Sequence, residues 1–401
     1  MKHIIILGDG MSDRPIEKLG GKTPLMAANK PNIDALAVRG RCGRLVTVPE
    51  DMPPGSEVAN LAVLGYDPRE VYQGRGVLEA ASMGVELAPD ELAMRCNLIC
   101  IENGRIKNHS AGHISTEEAT ELIGALNRGL ASPKVKFHAG FSYRHLFVLA
   151  GGSDKIACTP PHDVPGTPFA DVMVRATSPE GEQTAQTLNK LILDSQKILA
   201  EHPVNKKRLA EGKDPANSIW FWSQGHRPKM KTLQELYGIR GAVISAVDLI
   251  KGLGIYAGMD VIEVEGATGL YDTNYEGKAQ AAVDALKQYD FVFLHVEATD
   301  EAGHEGDIDL KIRTIEYLDS RVVKFIAEET AKMAEPVAIG ITPDHATPCA
   351  VRTHVHDPVP FIILNPLVTP DKVLRYDEDS VREGAFGLLQ GEEFIKALLG
   401  R

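Results

Sequence analysis

Short apolar runs alternate with segments of helical period along most of the chain. Runs of four to six mainly apolar residues fall at 4–7, 261–264, 291–296, 337–341 and 360–364. Buried strands that alternate with helices are typical of a largely parallel sheet covered by helices. The pattern therefore predicts an α/β core.

One helix is indicated between two of these strands. Its apolar positions recur at spacings of three and four, as expected for one face of a helix: Ile308, Ile312, Ile315, Leu318, Val322 and Ile326. The segment 291–341 is therefore predicted to be a strand, helix, strand unit.

The middle of the chain has a different pattern. It has shorter strands at 98–101 and 146–150, a capping box from Ser115 to Glu118 that opens a helix, and a Pro/Gly-rich stretch at 159–168. We interpret 86–215 as a smaller α+β domain inserted into a core formed by 1–85 and 216–401.

Two segments near the end of this insert allow more than one interpretation. The charged residues of 202–216 favour a solvated return linker, with an anion contact as the alternative. Trp220 and Trp222 favour packing near the domain junction, with a surface for a flat ligand as the alternative.

Composition and charge exclude several classes of protein. Of the 401 residues 43% are hydrophobic, and 43 Lys plus Arg stand against 55 Asp plus Glu, for a net charge of -12. No basic cluster is dense enough to follow a phosphate backbone, so a nucleic-acid partner is not expected. The apolar runs are much shorter than the roughly 20 residues that cross a bilayer, and no membrane partner is expected either. The N-terminus lacks the apolar region of a signal peptide, and the five cysteines form no C-x-x-C pair, which together predict a cytoplasmic protein with reduced thiols.

Metal-ligand residue types follow three of the predicted strands, and a fourth group precedes another strand. Ligands collect at the carboxyl ends of strands in open α/β sheets, so these side chains can converge although they are distant in sequence. Carboxylates with imidazoles suit manganese or zinc, and oxygen-rich portions suit magnesium. The candidate ligands are Asp9, Asp300, His304, Asp344, His345 and His354.

Ser56 is the candidate for the group on which such a centre acts. The segment 52–57 breaks the chain, and a helical pattern then begins, which would place Ser56 at a helix N-terminus. Free N–H groups there favour a phosphate, although a plain N-cap serine is the commoner role. No Ser-His-Asp order or G-x-S-x-G elbow surrounds Ser56, which leaves metal activation as the available mechanism.

The ordered motifs together resemble those of the archaeal-type 2,3-bisphosphoglycerate-independent phosphoglycerate mutases of the alkaline phosphatase superfamily. The matching motifs cover essentially the whole chain: Asp9, Pro-Pro-Gly-Ser56, Leu64-Gly65-Tyr66-Asp67-Pro68, Gly74-Arg75-Gly76, Thr299-Asp300-x-x-Gly303-His304, Pro343-Asp344-His345 and His354-x-x-Asp357-Pro358-Val359-Pro360.

The resemblance implies an alkaline-phosphatase-like core, a substrate-binding insert and a phosphoserine intermediate at Ser56. It implies two divalent ions, with manganese favoured and zinc or magnesium compatible. One ion would be bound by Asp9, Ser56, Asp344 and His345, and the other by Asp300, His304 and His354. His356 would be an additional histidine outside the ligand set.

The chain departs from the family in the insert. Asn108-His109-Ser110-Ala111-Gly112-His113 stands where these mutases usually have an Asp-Arg-Arg-Ala-Gly-Arg run, and arginines are natural clamps for carboxylate and phosphate. The candidate substrate contacts are Arg75, Arg95, His109, His113, Arg144 and Lys251. In this loop the chain resembles a bacterial branch of the family whose members have been proposed to be homoserine kinases. In such a kinase, ATP would phosphorylate Ser56, and homoserine would accept the phosphoryl group. The leading prediction is the mutase, acting on a small phosphorylated metabolite, with the kinase as the alternative.

Overall fold

The computed structural model describes residues 1–401, which form two compact units. The larger unit contains Met1–Tyr72 and Met230–Arg401, and the smaller unit is Gln73–Lys229. The smaller unit thus begins before and ends after the expected 86–215. The reason is that a helix at Arg75–Ser82 and a strand at Ser218–His226 both pack on its central strand.

The helices and strands follow in chain order. The first segment of the larger unit contains β1 (Lys2–Gly8), α1 (Pro24–Ala27), α2 (Pro31–Arg39), β2 (Arg41–Val46), α3 (Ser56–Val63) and α4 (Pro68–Val71). The smaller unit contains α5 (Arg75–Ser82), β3 (Glu91–Glu102), β4 (Arg105–Asn108), α6 (Thr116–Leu130), β5 (Val135–Phe141), β6 (Arg144–Ala150), β7 (Ile156–Ala157), β8 (Arg175–Ala176), α7 (Glu182–Ala200), α8 (Pro203–Ala210) and β9 (Ser218–His226). The second segment of the larger unit contains α9 (Leu233–Tyr237), β10 (Gly241–Ile244), α10 (Asp248–Tyr256), β11 (Met259–Val261), α11 (Tyr275–Leu286), β12 (Phe291–Val296), α12 (Ala298–Glu305), α13 (Ile308–Tyr317), α14 (Lys324–Thr330), β13 (Val337–Thr342), β14 (Val359–Leu364), β15 (Gly387–Gln390) and α15 (Glu393–Leu399).

The larger unit is built on an eight-stranded sheet in the order β11-β10-β12-β1-β13-β14-β2-β15. All strands run in one direction except β14, which is antiparallel to both of its neighbours. Strands β1, β12, β13 and β14 are buried almost throughout, as expected for a sheet covered on both faces. The predicted largely parallel α/β core is confirmed.

The smaller unit is an antiparallel α+β unit. Its sheet has the order β4-β3-β6-β5, and β9 also pairs with β3. Helices α6 and α7 pack on this sheet and on each other, and close a separate core around Phe147, Trp220 and Phe221. None of the helices in either unit has the length and apolar character needed to span a bilayer.

Several local predictions differ from the structure. The strand predicted at 261–264 lies at Met259–Val261, because it pairs only with the four-residue strand β10 and the ladder ends there. The single helix predicted across 308–326 is α13 and α14, joined by a π-helical turn at Leu318–Val323. Its apolar positions Ile315, Leu318, Val322 and Ile326 are nevertheless fully buried.

The solvated linker predicted at 202–216 is wrong. Residues 203–210 form α8, and Arg208 is only 3% exposed. Its guanidinium donates to the carbonyl oxygens of Ala111 and Asp214 and pairs with Glu118. Glu118 therefore binds Arg208, and only the Ser115 half of the predicted capping box caps α6.

Candidate active site

The acidic and histidine residues converge at one edge of the large sheet. Strands β12, β1 and β13 are adjacent and parallel, so their carboxyl ends lie side by side. Asp9 follows β1, Asp300 lies in the first turn of α12 after β12, and Asp344 follows β13. The topology thereby brings together side chains from the first and last thirds of the chain.

The first group consists of Asp9, Asp344 and His345, whose ligand atoms lie within 4.8 Å of one another. His345 Nε2 is 3.5 Å from Asp9 Oδ1 and 3.4 Å from Asp344 Oδ2. All three residues are at most 1% exposed. The geometry suits one cation that faces two carboxylates and one imidazole.

A hydroxyl group sets the orientation of His345. The Thr347 hydroxyl donates to Asp300 Oδ1 and lies 3.2 Å from His345 Nδ1. Since its single proton is used on Asp300, the oxygen accepts from Nδ1–H, and the lone pair of His345 Nε2 faces the carboxylates. Burial lowers the pKa of His345, which keeps the imidazole neutral and able to bind a metal.

Ser56 lies beside this group. It is the first residue of α3, with Gly55 as the N-cap, and its Oγ is 3.2 Å from His345 Nε2. Since Gly55 and not Ser56 occupies the N-cap position, the plain N-cap interpretation of Ser56 does not apply. One turn later Asn60 donates from Nδ2 to Asp344 Oδ2 and to the Ser56 carbonyl, both at 2.8 Å, and so links the helix to the acidic group.

The second group consists of Asp300, His304 and His354. His304 Nε2 is 3.1 Å from Asp300 Oδ2 and 2.9 Å from His354 Nε2, and its Nδ1 donates to the Arg352 carbonyl at 3.1 Å. The rings of His354 and His345 stack with centroids 3.9 Å apart. The two groups are therefore neighbours within one site.

Two further residues, His295 and Glu297, lie close to Asp9. Asp9, His295 and Glu297 form a third group of ligand atoms that shares Asp9 with the first. His295 Nε2 is 2.8 Å from Asp9 Oδ2. Burial raises the pKa of Glu297 to about 8, and the carboxylate Oε2 has no hydrogen-bond partner.

The electrostatics of the site fit bound divalent cations. Burial, together with Asp344 and Asp300, raises the pKa of Asp9 well above its usual range, and Asp9 Oδ1 is buried without a hydrogen-bond partner. Burial opposes the charge on Asp300, but contacts with His304 and His354 outweigh it and hold its pKa well below the usual range. The Asp300 contact in turn raises the pKa of His304 to about 9. An unpartnered buried carboxylate oxygen beside imidazole nitrogens is the donor set that manganese or zinc prefers.

His356 has a different role from His354. Its Nε2 donates to the Met52 carbonyl at 2.8 Å. This contact ties the segment before Ser56 to the loop that precedes β14.

The candidate substrate residues of the smaller unit form a chain of ring contacts. The Arg144 guanidinium lies 5.8 Å from the Tyr143 ring, and Arg95 lies 4.6 Å from the Trp222 ring and pairs with Glu79. Between them, His109 contacts Tyr143, and His162 contacts Trp222, with ring centroids at 5.5 and 5.2 Å. Burial, with His162 and His113 nearby, lowers the pKa of His109. His109 also contacts His162, with ring centroids 5.9 Å apart. Arg95, His109 and Arg144 thus lie in one cationic and aromatic patch, and His113 is close to His109.

The other two candidates are placed differently. Arg75 is the first residue of α5, and its backbone N–H donates to Ser223 Oγ. Lys251 belongs to the larger unit and is paired through both carboxylate oxygens with Glu263, at 2.7 and 2.8 Å. Trp220 and Trp222 are 1% and 8% exposed, and their indole N–H groups donate to Thr159 and Asn97. Both tryptophans are therefore packed within the smaller unit.

Sequence reasoning missed the residues that support the ligands. Asn60, Thr347 and His295 all hold a candidate ligand. Only Asn60 carried a signal, because it lies four residues after Ser56 on the same helix face. His295 lies inside an apolar strand, where a histidine is usually interpreted as a core residue.

Comparison with known proteins agrees with this geometry. Residues 37–205 match the family model for 2,3-bisphosphoglycerate-independent phosphoglycerate mutase. A protein of that name from Methanosarcina acetivorans is 53% identical, with 100% of each chain covered.

Two solved structures are also similar. A Pyrococcus horikoshii protein has a TM-score of 0.85 at 34% identity, covering 100% of this chain and 96% of its own. A cofactor-independent phosphoglycerate mutase from Thermoplasma acidophilum has a TM-score of 0.72 at 30% identity, covering 100% and 99%. Full-length identity at this level, on a chain whose sheet edge carries the motifs in the family's order, places the protein in the family of 2,3-bisphosphoglycerate-independent phosphoglycerate mutases.

Proposed function

We propose that the protein interconverts 2- and 3-phosphoglycerate through a phosphoserine at Ser56. The observation that carries this proposal is the position of the Ser56 hydroxyl. It lies at the start of α3 and 3.2 Å from His345 Nε2, beside two groups of cation ligands. The mutase names of the full-length relatives favour this acceptor chemistry over the homoserine kinase alternative, which none of the proteins reported above supports.

We assign one divalent ion to Asp9, Ser56, Asp344 and His345, and the other to Asp300, His304 and His354, with manganese favoured over zinc or magnesium. When bound, the two ions supply positive charge that lowers the pKa of the serine hydroxyl and stabilises charge on the phosphoryl oxygens. The neutral His345 and the unpartnered Asp9 Oδ1 support the first assignment. The facing Nε2 atoms of His304 and His354 support the second.

The residues of the chain position and stabilise the transferred group. In the first step a bond forms between Ser56 Oγ and phosphorus, the bond from phosphorus to the substrate oxygen breaks, and the serine proton ends on that oxygen. The backbone N–H groups at the start of α3 face developing negative charge on the phosphoryl group. In the second step the other hydroxyl of the bound glycerate attacks phosphorus, the bond between Ser56 Oγ and phosphorus breaks, and the proton of the attacking hydroxyl ends on Ser56 Oγ.

We assign recognition of the acceptor to the smaller unit. Arg95, Arg144 and the histidines of the 108–113 loop form a patch able to bind a carboxylate. Arg75 and Lys251 remain proposed phosphate contacts. The predicted cytoplasmic location stays a prediction.

The test is a parallel assay of the manganese-loaded protein and its Ser56→Ala variant. The proposal predicts conversion of 3-phosphoglycerate to 2-phosphoglycerate by the native protein, and loss of that turnover in the variant with both ions still bound. Homoserine with ATP serves as the competing assay. Phosphohomoserine without mutase turnover would establish the kinase alternative, and full mutase turnover in Ser56→Ala would overturn the phosphoserine route.

A further inference from the structure

His295 is a fully buried histidine in the middle of the large sheet. It lies on β12, is 0% exposed, and has a defined partner at each ring nitrogen. Its Nε2 is 2.8 Å from Asp9 Oδ2, and its Nδ1 is 3.0 Å from Ser245 Oγ. A fully buried histidine with both nitrogens engaged has a fixed ring orientation.

The hydrogen-bond chain also determines where the protons lie. The Val247 N–H donates to Ser245 Oγ at 3.0 Å, which leaves the serine hydroxyl proton for His295 Nδ1. The other nitrogen then carries the ring proton, and Nε2–H donates to Asp9 Oδ2. The loop after β10 thus sets the tautomer of a histidine on the next strand.

Because of this contact, the two carboxylate oxygens of Asp9 have different surroundings. Oδ2 accepts from His295, whereas Oδ1 is buried without a partner and lies on the side of His345, 3.5 Å from its Nε2. The Thr299 hydroxyl donates to the Asp9 backbone carbonyl and holds the main chain at the same residue. One oxygen is fixed so that the other is presented to a cation.

We propose that His295 is a positioning residue, which, through the Asp9 carboxylate, sets the affinity for the cation bound by Asp9, Asp344 and His345. This inference rests on the cation site of the proposed function. Supporting hydrogen bonds of this kind commonly change metal affinity by about 10- to 100-fold.

Direct ligation by His295 is the alternative, because His295, Asp9 and Glu297 form a group of suitable size. Two observations favour positioning. The Nε2–Oδ2 separation of 2.8 Å is that of a hydrogen bond, and Nδ1 is already engaged by Ser245. An imidazole that donates to Asp9 from Nε2 and accepts from Ser245 at Nδ1 has no lone pair left for an ion.

The test uses a matched pair of variants in the full-length protein, titrated with Mn²⁺ alone. In His295→Gln the amide nitrogen reaches the place of Nε2 and can still donate to Asp9. In His295→Asn the amide keeps the place of Nδ1 beside Ser245 and cannot reach Asp9. We expect His295→Asn to bind one of the two ions about 10- to 100-fold more weakly, and His295→Gln to stay within about threefold of the native affinity.

Assignment of the weakened ion completes the test. Repeating the titration in a His304→Ala background isolates the ion at Asp9, and the loss must persist there. Equal losses in the Gln and Asn variants would make His295 a direct ligand and overturn the proposal. Native affinity in both variants, or equal weakening of both ions, would overturn it as well.

A second variant covers failure of the first pair to fold. Ser245→Ala keeps the histidine and removes the partner of Nδ1, and we expect a smaller loss confined to the same ion. Unchanged binding in Ser245→Ala would contradict the hydrogen-bond chain.

The metal titration needs no turnover, so its outcome is separate from that of the activity assay. Absence of mutase activity would count against the proposed function alone. Absence of a second manganese ion in the native protein would count against the proposed metal centre.

Discussion

Single hydrogen-bond partners determine which nitrogen of each active-site histidine can bind a metal. His345 gives its Nδ1 proton to Thr347, and His304 gives its Nδ1 proton to the Arg352 carbonyl. Both histidines then present Nε2 to the carboxylates. The supporting residues therefore fix the tautomer and the orientation of the rings that they contact.

Thr347 is the residue that connects the two groups, because its hydroxyl donates to Asp300 and accepts from His345. Thr347→Val keeps the shape and removes both contacts. We expect it to weaken Mn²⁺ binding by about tenfold or more, as measured by calorimetric titration. Thr347→Ser keeps the hydroxyl and serves as the matched control. Equal affinity in the Val and Ser variants would show that the hydroxyl does not orient the ligands.

The candidate metal ligands could be predicted from the sequence, but the residues that hydrogen-bond to them could not. Asp9, Asp300 and Asp344 were predictable because acidic residues after apolar strands fall at one sheet edge in a parallel fold. Thr347 and His295 were not, because a hydroxyl in a loop and a histidine in a strand have many commoner roles. Their function depends on distances that only the packed chain defines.

At the scale of elements, helix starts and strand partners decide where functional groups lie. Ser56 begins α3 directly after Gly55, and β12, β1 and β13 end side by side. These features follow from apolar runs and chain breaks, which are local signals. Arg208 shows the opposite case, in which local signals mislead. From the sequence, α8 is predicted to be a charged linker, because the Ala111 carbonyl and Glu118, which bind the buried Arg208 guanidinium, are distant in sequence.

Strand β6 carries a buried histidine that couples stability to pH. His145 is 2% exposed, accepts from the Gly140 N–H at Nδ1, and has no partner at Nε2. Burial lowers its pKa from 6.5 to about 3. The unfolded chain therefore takes up a proton near pH 6.5, whereas the folded chain does so only near pH 3.

His145→Asn removes the titrating group and keeps an acceptor for Gly140. The contribution of neutral His145 is complete above pH 6.5 and is lost as the pH falls. Relative to the variant, we expect native stability to decline by about 1.4 kcal/mol per pH unit between pH 6.5 and pH 3. Urea unfolding across this range measures the difference. Parallel pH profiles for the two proteins would contradict the assignment.

At the scale of the whole molecule, the residues that we propose to be functional are divided between two compact units. The larger unit holds Ser56 and both ligand groups, and the smaller unit holds the cationic and aromatic patch. The presence of an insert was predictable because the pattern of apolar runs changes in the middle of the chain. The short strands expected at 98–101 and 146–150 are instead parts of longer strands, β3 with 12 residues and β6 with 7. The limits of the insert were not predictable, since α5 and β9 belong to the smaller unit through packing on β3.

Bound cations should stabilise the larger unit, because Asp9, Asp300 and Asp344 are at most 4% exposed and repel one another. Removal of metal with EDTA should lower the melting temperature, and Mn²⁺ at 100 times its dissociation constant should restore about 2.7 kcal/mol per site. Asp9→Asn removes one negative charge. We expect this variant to be more stable than the native protein in EDTA and to gain less from Mn²⁺. Identical melting temperatures with and without metal would contradict a metal centre.

The stereochemistry of transfer tests the phosphoserine route most directly. The measurement is the configuration at phosphorus in 2-phosphoglycerate formed from 3-phosphoglycerate with an isotopically chiral phosphoryl group. Each in-line displacement inverts phosphorus, so transfer to Ser56 followed by transfer to glycerate predicts overall retention. Overall inversion would mean a single direct transfer and would contradict the central claim that Ser56 carries the phosphoryl group.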